Sequence, residues 1–231
     1  VFSGMPEVVT IALSNVIVPL AVGGVFVGTI MAIYEADIKK LFAHSSVAQI
    51  GYIALGLGLG TPASVGAAFI HIGNHALIKG GIFMAIGGFV AALGARASLD
   101  SLIGIGRRLP VTATAFLVCG LSLAGLPLTA GFISKLYLVR AILETGSYVI
   151  LSLVLISSAL SVVYLWKIME VMWMQPAPAR SSKLVENPAI YVPIWIVALG
   201  NIWFGIDASW LVSASQMAAG VFFGGSSGGG A

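Results

Sequence analysis

The sequence predicts an all-α integral membrane protein of six transmembrane helices, the fourth of them broken. Three observations carry that prediction. Hydrophobic residues make up 59% of the 231 positions and charged ones only 8%, too few to cover a soluble domain of this size with polar surface. The apolar residues run in blocks near or above the roughly 20 residues a spanning helix needs, without the period-two alternation of a barrel strand. The basic residues that lie between those blocks fall in alternate connections.

The first two spans cover residues 16–34 and 41–59, and the third, unusually long, covers 64–93. The fourth, 111–144, would be roughly 50 Å long as one straight helix at about 1.5 Å per residue. The bilayer core is about 30 Å thick, so this segment must break. Gly125, Pro127 and Gly131 supply the means. Proline removes a backbone donor and clashes with the preceding turn, and glycine adopts φ values other residues avoid. The fifth and sixth spans are 148–172 and 189–212. The chain thus divides into an N-terminal amphiphilic segment, 1–15, a transmembrane repeat, 16–174, a Pro-rich cytoplasmic linker, 175–188, a last helix, 189–212, and a C-terminal tail, 213–231. The Gly/Ser-rich end of that tail, 224–231, is expected to be disordered. Residues 6–14 and 99–105 are expected to lie at the membrane interface.

Charge sets the orientation. Lys39 and Lys40, then Arg96, Arg107 and Arg108, then Arg180 and Lys183 occupy alternate loops, while 60–63 and 144–147 carry no Lys or Arg. The positive-inside rule places the basic loops in the cytoplasm and both chain ends outside. The net charge of +3 is therefore an orientation signal, and nothing in the chain is a nucleic-acid footprint. The single Cys119 excludes an intramolecular disulfide and any multi-cysteine metal or iron–sulfur site. The chain opens on Val1 without a recognisable signal peptide and reads as a piece of a longer gene product.

Ionisable residues inside the spans carry the chemistry. His71, His75 and Lys79 are spaced i, i+4, i+8, so they diverge by only about 40° per step and form one polar stripe, with Asn74 beside it. A charged group at the bilayer centre costs about 2.5–3.5 kcal/mol even on the gentlest scale, so the stripe needs an interior or hydrated setting. A proton path answers to that pattern; interhelical glue made by two neutral histidines is the alternative. Metal or haem ligation would need facing or acidic partners that are missing from the apolar segments, so no cofactor and no metal are expected. The remaining histidine, His44, lies near the cytoplasmic end beside Lys39 and Lys40.

Lys135 follows the predicted break by about one turn and is expected near mid-depth, facing the third span. Desolvation loosens a lysine's hold on its proton and a nearby negative charge restores it, so such a group can be loaded and unloaded. The alternative is a lysine that snorkels to an interface. Arg140 and Glu144 follow toward the outer end as a candidate exit path, though Glu144 reads equally well as a solvated helix-end residue. Glu35, Asp37, Lys39, Lys40, Lys167 and Glu170 flank cytoplasmic ends and read as interfacial anchors.

Three stretches in order resemble the antiporter-like proton-translocating subunits of respiratory complex I and of multisubunit Mrp sodium/proton antiporters. They are DIKKLFAHSSVAQIGY at 37–52, HIGNHALIK at 71–79, and GLSLAGLP through GFISK at 120–135. The resemblance runs from about residue 16 to 173. The 104–110 loop, VVYLWK at 162–167 and WFG at 203–205 lean toward the D-type Mrp subunit, with a membrane-arm subunit of NADH-quinone oxidoreductase as the second reading. It implies that the chain is the second of two inverted five-helix repeats plus a final helix, the C-terminal half of the fold. It implies that Lys79 is the central-axis lysine, Lys135 the terminal lysine, and His71 and His75 the lining of the polar axis between them. His44 stands where the family often has tyrosine.

The mechanism so implied is an electrostatic relay with no redox centre in this chain. Protons, and in the antiporter reading exchanged Na+, are the cargo. The other membrane subunits of the assembly are the partners, and a bacterial inner membrane is the location. A proton-inactive structural or assembly subunit, and more remotely a membrane-bound haem protein, are the competing readings from other classes.

Overall fold

The computed structural model describes residues 7–94, 98–176 and 184–223, and these residues are helical without a strand. Five helices are each long and apolar enough to cross a membrane: α1 (Glu7–Tyr34), α2 (Ile38–Leu59), α3 (Pro62–Leu93), the α-helix Tyr148–Met169 with its π-helical extension Glu170–Met174, and the α-helix Pro188–Ile206. Between α3 and the last two of these lie the short α4 (Ile105–Arg108), then α5 (Pro110–Ala124) and α6 (Ala130–Glu144). The helices after them are α7 (Tyr148–Met169), α8 (Pro188–Ile206) and α9 (Ser209–Phe222). At 15 residues each, α5 and α6 reach only about 22 Å and cannot cross singly. Together they form the broken span.

Local chemistry fixes the corners. Asp37 accepts from the Lys39 and Lys40 amides and starts α2, and Thr61 and Ser64 form a capping box ahead of α3 with Pro62 in its first turn. Lys167 of α7 donates to the Ile33 and Glu35 carbonyls, where α1 leaves acceptors open. Asp37 and Lys167 are therefore structural caps.

Apolar side chains face both ways. Phe42, Phe89 and Phe116 meet edge to face at 5.6 and 5.7 Å in a core shared by α2, α3 and α5. A second cluster joins Val25, Tyr52, Leu55, Leu138 and Val154 from α1, α2, α6 and α7. Leu20, Leu155, Ile156, Trp166, Ile196 and Trp203 point outward, while Lys79, Lys135, His71, Asn74 and Asn201 are buried. Apolar surface outside and polar groups inside suit a lipid environment.

The two ends separate as the charge pattern requires. Asp37 bridges to Ser98, the Gly104 amide bonds to the Val171 carbonyl, and Glu186 accepts from the Val111 amide, which gathers the Lys39, Lys40, Arg107 and Arg108 connections. At the other end the 60–63 connection, the end of α6 and α9 come together. Arg96, Arg180, Lys183 and the tail 224–231 lie outside the described residues.

Three boundaries differ from the expectation. The helix that enters the first span starts by Glu7, so the described part of the amphiphilic segment is continuous with the span. Residues 99–105 turn one face inward, with Leu102 and Ile105 fully buried, and the 100–108 segment meets α5 at a 111° bend. Its apolar residues fill the basic end of the core. The last span stops at Ile206, because Asp207 turns extended and its carboxylate takes the Ser209 amide and hydroxyl. The residues expected to end the last helix and begin the tail form a separate helix, α9.

Candidate functional site

The break between α5 and α6 is built by complete use of the free backbone groups. A helix end leaves four carbonyls without partners. At the end of α5 the Gly125 amide bonds to the Leu121 and Ser122 carbonyls and the Leu126 amide to Leu121. The two that remain, of Leu123 and Ala124, accept from the Lys135 amine at 3.2 and 2.9 Å. Gly125 makes this possible with φ of 89°, and Leu128 follows at φ 68°, a left-handed leucine that the sequence does not announce. Pro127 lies in the turn, as expected. Gly131 does not interrupt: it lies inside α6, where any Cβ would strike the Ser122 carbonyl. Its smallness lets the two half-helices cross closely.

Lys135 is 8% exposed and sits 5.5 Å from the Tyr52 ring of α2. It thus faces the open end of α5 and Tyr52, not α3 as the sequence suggested. The side chain that reaches α3 is its neighbour Ser134. A cation on the negative end of a helix is favoured by the dipole and by charge-assisted hydrogen bonds.

His71 lies between α2 and α6. Its Nδ1 is 2.9 Å from Ser134 Oγ and its Nε2 is 3.0 Å from Gln49 Oε1. With Nε2–H donated to Gln49, Nδ1 accepts the Ser134 hydroxyl. A proton added at Nδ1 turns that bond round, and Ser134 then donates to the Gly131 carbonyl at 3.1 Å. The same partners serve both charge states. Asn74 donates to the Ala130 carbonyl at 2.6 Å and ties α3 to the first turn of α6.

Lys79 mirrors Lys135. Its amine donates to the Phe42 carbonyl at 2.6 Å and to the Ser45 hydroxyl, with the Phe42 ring centre 5.0 Å away. His75 stacks parallel to His71 at 6.4 Å, and its buried Nδ1 has no protein partner. Lys79, His75 and His71 follow one another at four-residue steps along α3, and His71 bonds to Ser134, the neighbour of Lys135. The order along the interior is therefore Lys79, His75, His71, Lys135. His44 pairs with Glu35 at 3.6 Å, and among the described residues no carboxylate pairs with either buried lysine. No three His, Cys, Asp or Glu gather as a metal would require among those residues.

Arg140 and Glu144 are exposed and line a 210 Å³ cavity with Pro62, Tyr137, Ser215 and Gln216. They are turned about 140° and 180° around α6 from Lys135, and no described hydrogen bond joins them to it. Sequence reasoning missed Gln49, Ser134, Ser45, Ser122 and Asn201. The first four sit inside the quoted motifs, where a polar residue amid apolar neighbours is the signal; Asn201 stands alone in the last span with the same signal.

A polytopic helical subunit with a broken span and an interior row of lysines and histidines is the class that fold and site define. The chain belongs to the NADH:quinone oxidoreductase/Mrp antiporter transmembrane family, whose model matches residues 1–161. It is 36% identical to NADH-quinone oxidoreductase subunit N of Desulforudis audaxviator over 207 residues, 84% of this chain and 41% of that protein. It superposes with a TM-score of 0.84 and 29% identity on a chain of the membrane-bound sulfane sulfur reductase, an archaeal respiratory membrane complex, covering 92% of this chain and 43% of that one. A chain of the Mrp complex from Dietzia sp. DQ12-45-1b shares the fold at a TM-score of 0.81 and 23% identity, over 91% of this chain and 47% of that one. The chain spans less than half the length of these relatives.

Proposed function

We propose that the chain is the C-terminal half of a proton-translocating membrane subunit in a complex I-like quinone oxidoreductase of a bacterial inner membrane. The carrying observation is the pair of buried lysines held on backbone carbonyls and a hydroxyl, with no carboxylate partner among the described residues and two stacked histidines between them. An ammonium held by neutral acceptors has no fixed counter-charge, so its protonation answers to charge arriving from elsewhere. A proton reaching Lys79 raises the positive potential at His75 and His71 and favours release from Lys135. His71 can pass the proton on by reversing its bond to Ser134. Redox energy comes from a quinone-reducing partner module. The Arg140–Glu144 cavity is the outward opening nearest the end of α6, reached through a rearrangement of Tyr137 or through water.

The Mrp antiporter is the second reading, favoured by the shared fold of the Dietzia chain. The subunit N relative at 36% identity supports the oxidoreductase as the first reading. Purification of the complete assembly separates the two. Flavin and iron–sulfur absorbance with quinone reductase activity supports the first; co-purifying antiporter subunits with cation-driven proton exchange supports the second. In the oxidoreductase, Lys79→Ala lowers the number of protons moved per quinone reduced. An unchanged ratio contradicts the relay.

A further inference from the structure

We propose that Asn201 of α8 is a positioning residue for Lys135, acting through Ser122 on the open end of α5. This rests on the relay reading of Lys135. Asn201 is fully buried in an otherwise apolar helix, and Ser122 donates its hydroxyl to Asn201 Oδ1 at 3.0 Å. The Ser122 oxygen in turn accepts the Gly131 amide at 3.2 Å, one of the unpaired donors in the first turn of α6. A single hydroxyl thereby joins three elements: the last turn of α5, the first turn of α6 and the middle of α8. The residues that follow Ser122 are Leu123 and Ala124, whose carbonyls hold the Lys135 amine.

Asn201 is itself set in place. Its Nδ2 donates to the Val197 carbonyl at 2.9 Å, which leaves Oδ1 directed at Ser122. One turn on, Gly205 lies against the backbone of Leu128 and Thr129, so closely that any Cβ would overlap it. The helix after the repeat therefore grips the break twice, by a hydrogen bond on its α5 side and by backbone contact on its turn. Simple packing needs neither a buried amide nor a directed acceptor, and a buried polar group is retained at a cost unless fully bonded. Removing the acceptor frees the Ser122 hydroxyl to turn away, and the carbonyls presented to Lys135 shift with it.

The test uses the complete assembly with Asn201→Leu, which keeps the volume but lacks the acceptor, and Asn201→Asp, which keeps Oδ1. Two readouts are taken: proton transport against pH in proteoliposomes, and hydrogen exchange of the peptide containing Gly131. Asn201→Leu is expected to lower transport and to speed exchange, each at least about fivefold, and to displace the pH profile; Asn201→Asp restores slow exchange through its Oδ1, while its buried carboxyl leaves the pH profile displaced. Unchanged exchange in Asn201→Leu overturns the grip on the break. Faster exchange with unchanged transport and pH profile overturns the positioning role. Lys135→Ala runs in parallel: normal transport in that variant removes the relay reading and this role with it, while the exchange result still decides whether Asn201 holds the break.

Discussion

The Lys135 amine lies 2.9 Å from the Ala124 carbonyl oxygen, across a break that separates them by eleven positions in the chain. A lysine from the second half-helix closes the open end of the first. The break and the charge are therefore one device: without the break there are no free carbonyls, and without the lysine the carbonyls of Leu123 and Ala124 lose the partner the structure gives them. Any change in the charge of Lys135 is transmitted directly to the geometry of α5 and α6.

Gly131→Ala tests the close crossing. The added methyl would overlap the Ser122 carbonyl, which is backbone and cannot swing aside. A cost of about 1–3 kcal/mol is expected, seen as a lower melting temperature of the purified assembly, together with reduced proton transport. Wild-type stability would show that the half-helices do not cross at this point.

His71→Leu removes the ring that joins Gln49 to Ser134 and leaves the Gln49 acceptor buried without its donor. Destabilisation of about 1–3 kcal/mol is expected in the same melting measurement, with a fall in transport beyond the fall in folded protein. Transport that tracks only the amount of folded protein would make His71 a structural tie.

Topology is testable by labelling. The Arg107 end and the Thr145 end are opposite in the structure and opposite by charge, and the positive-inside rule places Arg107 in the cytoplasm. A cysteine at 145 should react with an impermeant reagent in intact cells and one at 107 should not. The reverse pattern would invert the assigned orientation.

Glu35 gives a pH signature. Its carboxylate accepts the Asp37 and Ala36 amides at 3.0 and 2.9 Å, and the Asp37 hydrogen bond leads in holding its pKa below the ordinary carboxylate value. A depressed folded-state pKa contributes stability above the unfolded value, and that stability is lost as pH falls through the folded one. The melting advantage of wild type over Glu35→Gln should therefore be present at neutral pH and shrink on acidification below about pH 4.5. A constant difference across that range would contradict the assignment.

The fold was largely legible because apolar blocks, their lengths and the basic loops are one-dimensional signals. The stripe at His71, His75 and Lys79 followed from helical period alone, and the break from length together with Gly125 and Pro127. What stayed hidden depends on three-dimensional contact. Gly131 looks like a helix breaker until Ser122 is seen against it. Leu128 gives no hint of positive φ. Residues 99–105 have an amphiphilic pattern, but nothing in it announces the 111° bend into α5. Asp207 ends α8 through a local Ser209 bond, a signal weaker than the continuing apolar run around it. The direction of Lys135 depended on free carbonyls that exist only once the break has formed.

The most direct measurement is proton flux in proteoliposomes carrying the complete assembly with Lys135→Ala, scored against protein incorporated. Loss of coupled flux with assembly retained is predicted, because the desolvation cost removed with the buried cation offsets the loss of the partner of the Leu123 and Ala124 carbonyls. Lys135→Arg should fail as well, since guanidinium holds its proton above about pH 12, while Lys135→Glu should retain part of the flux through a carboxyl that still titrates. Normal pumping by Lys135→Ala would contradict the relay and leave a structural subunit as the better account.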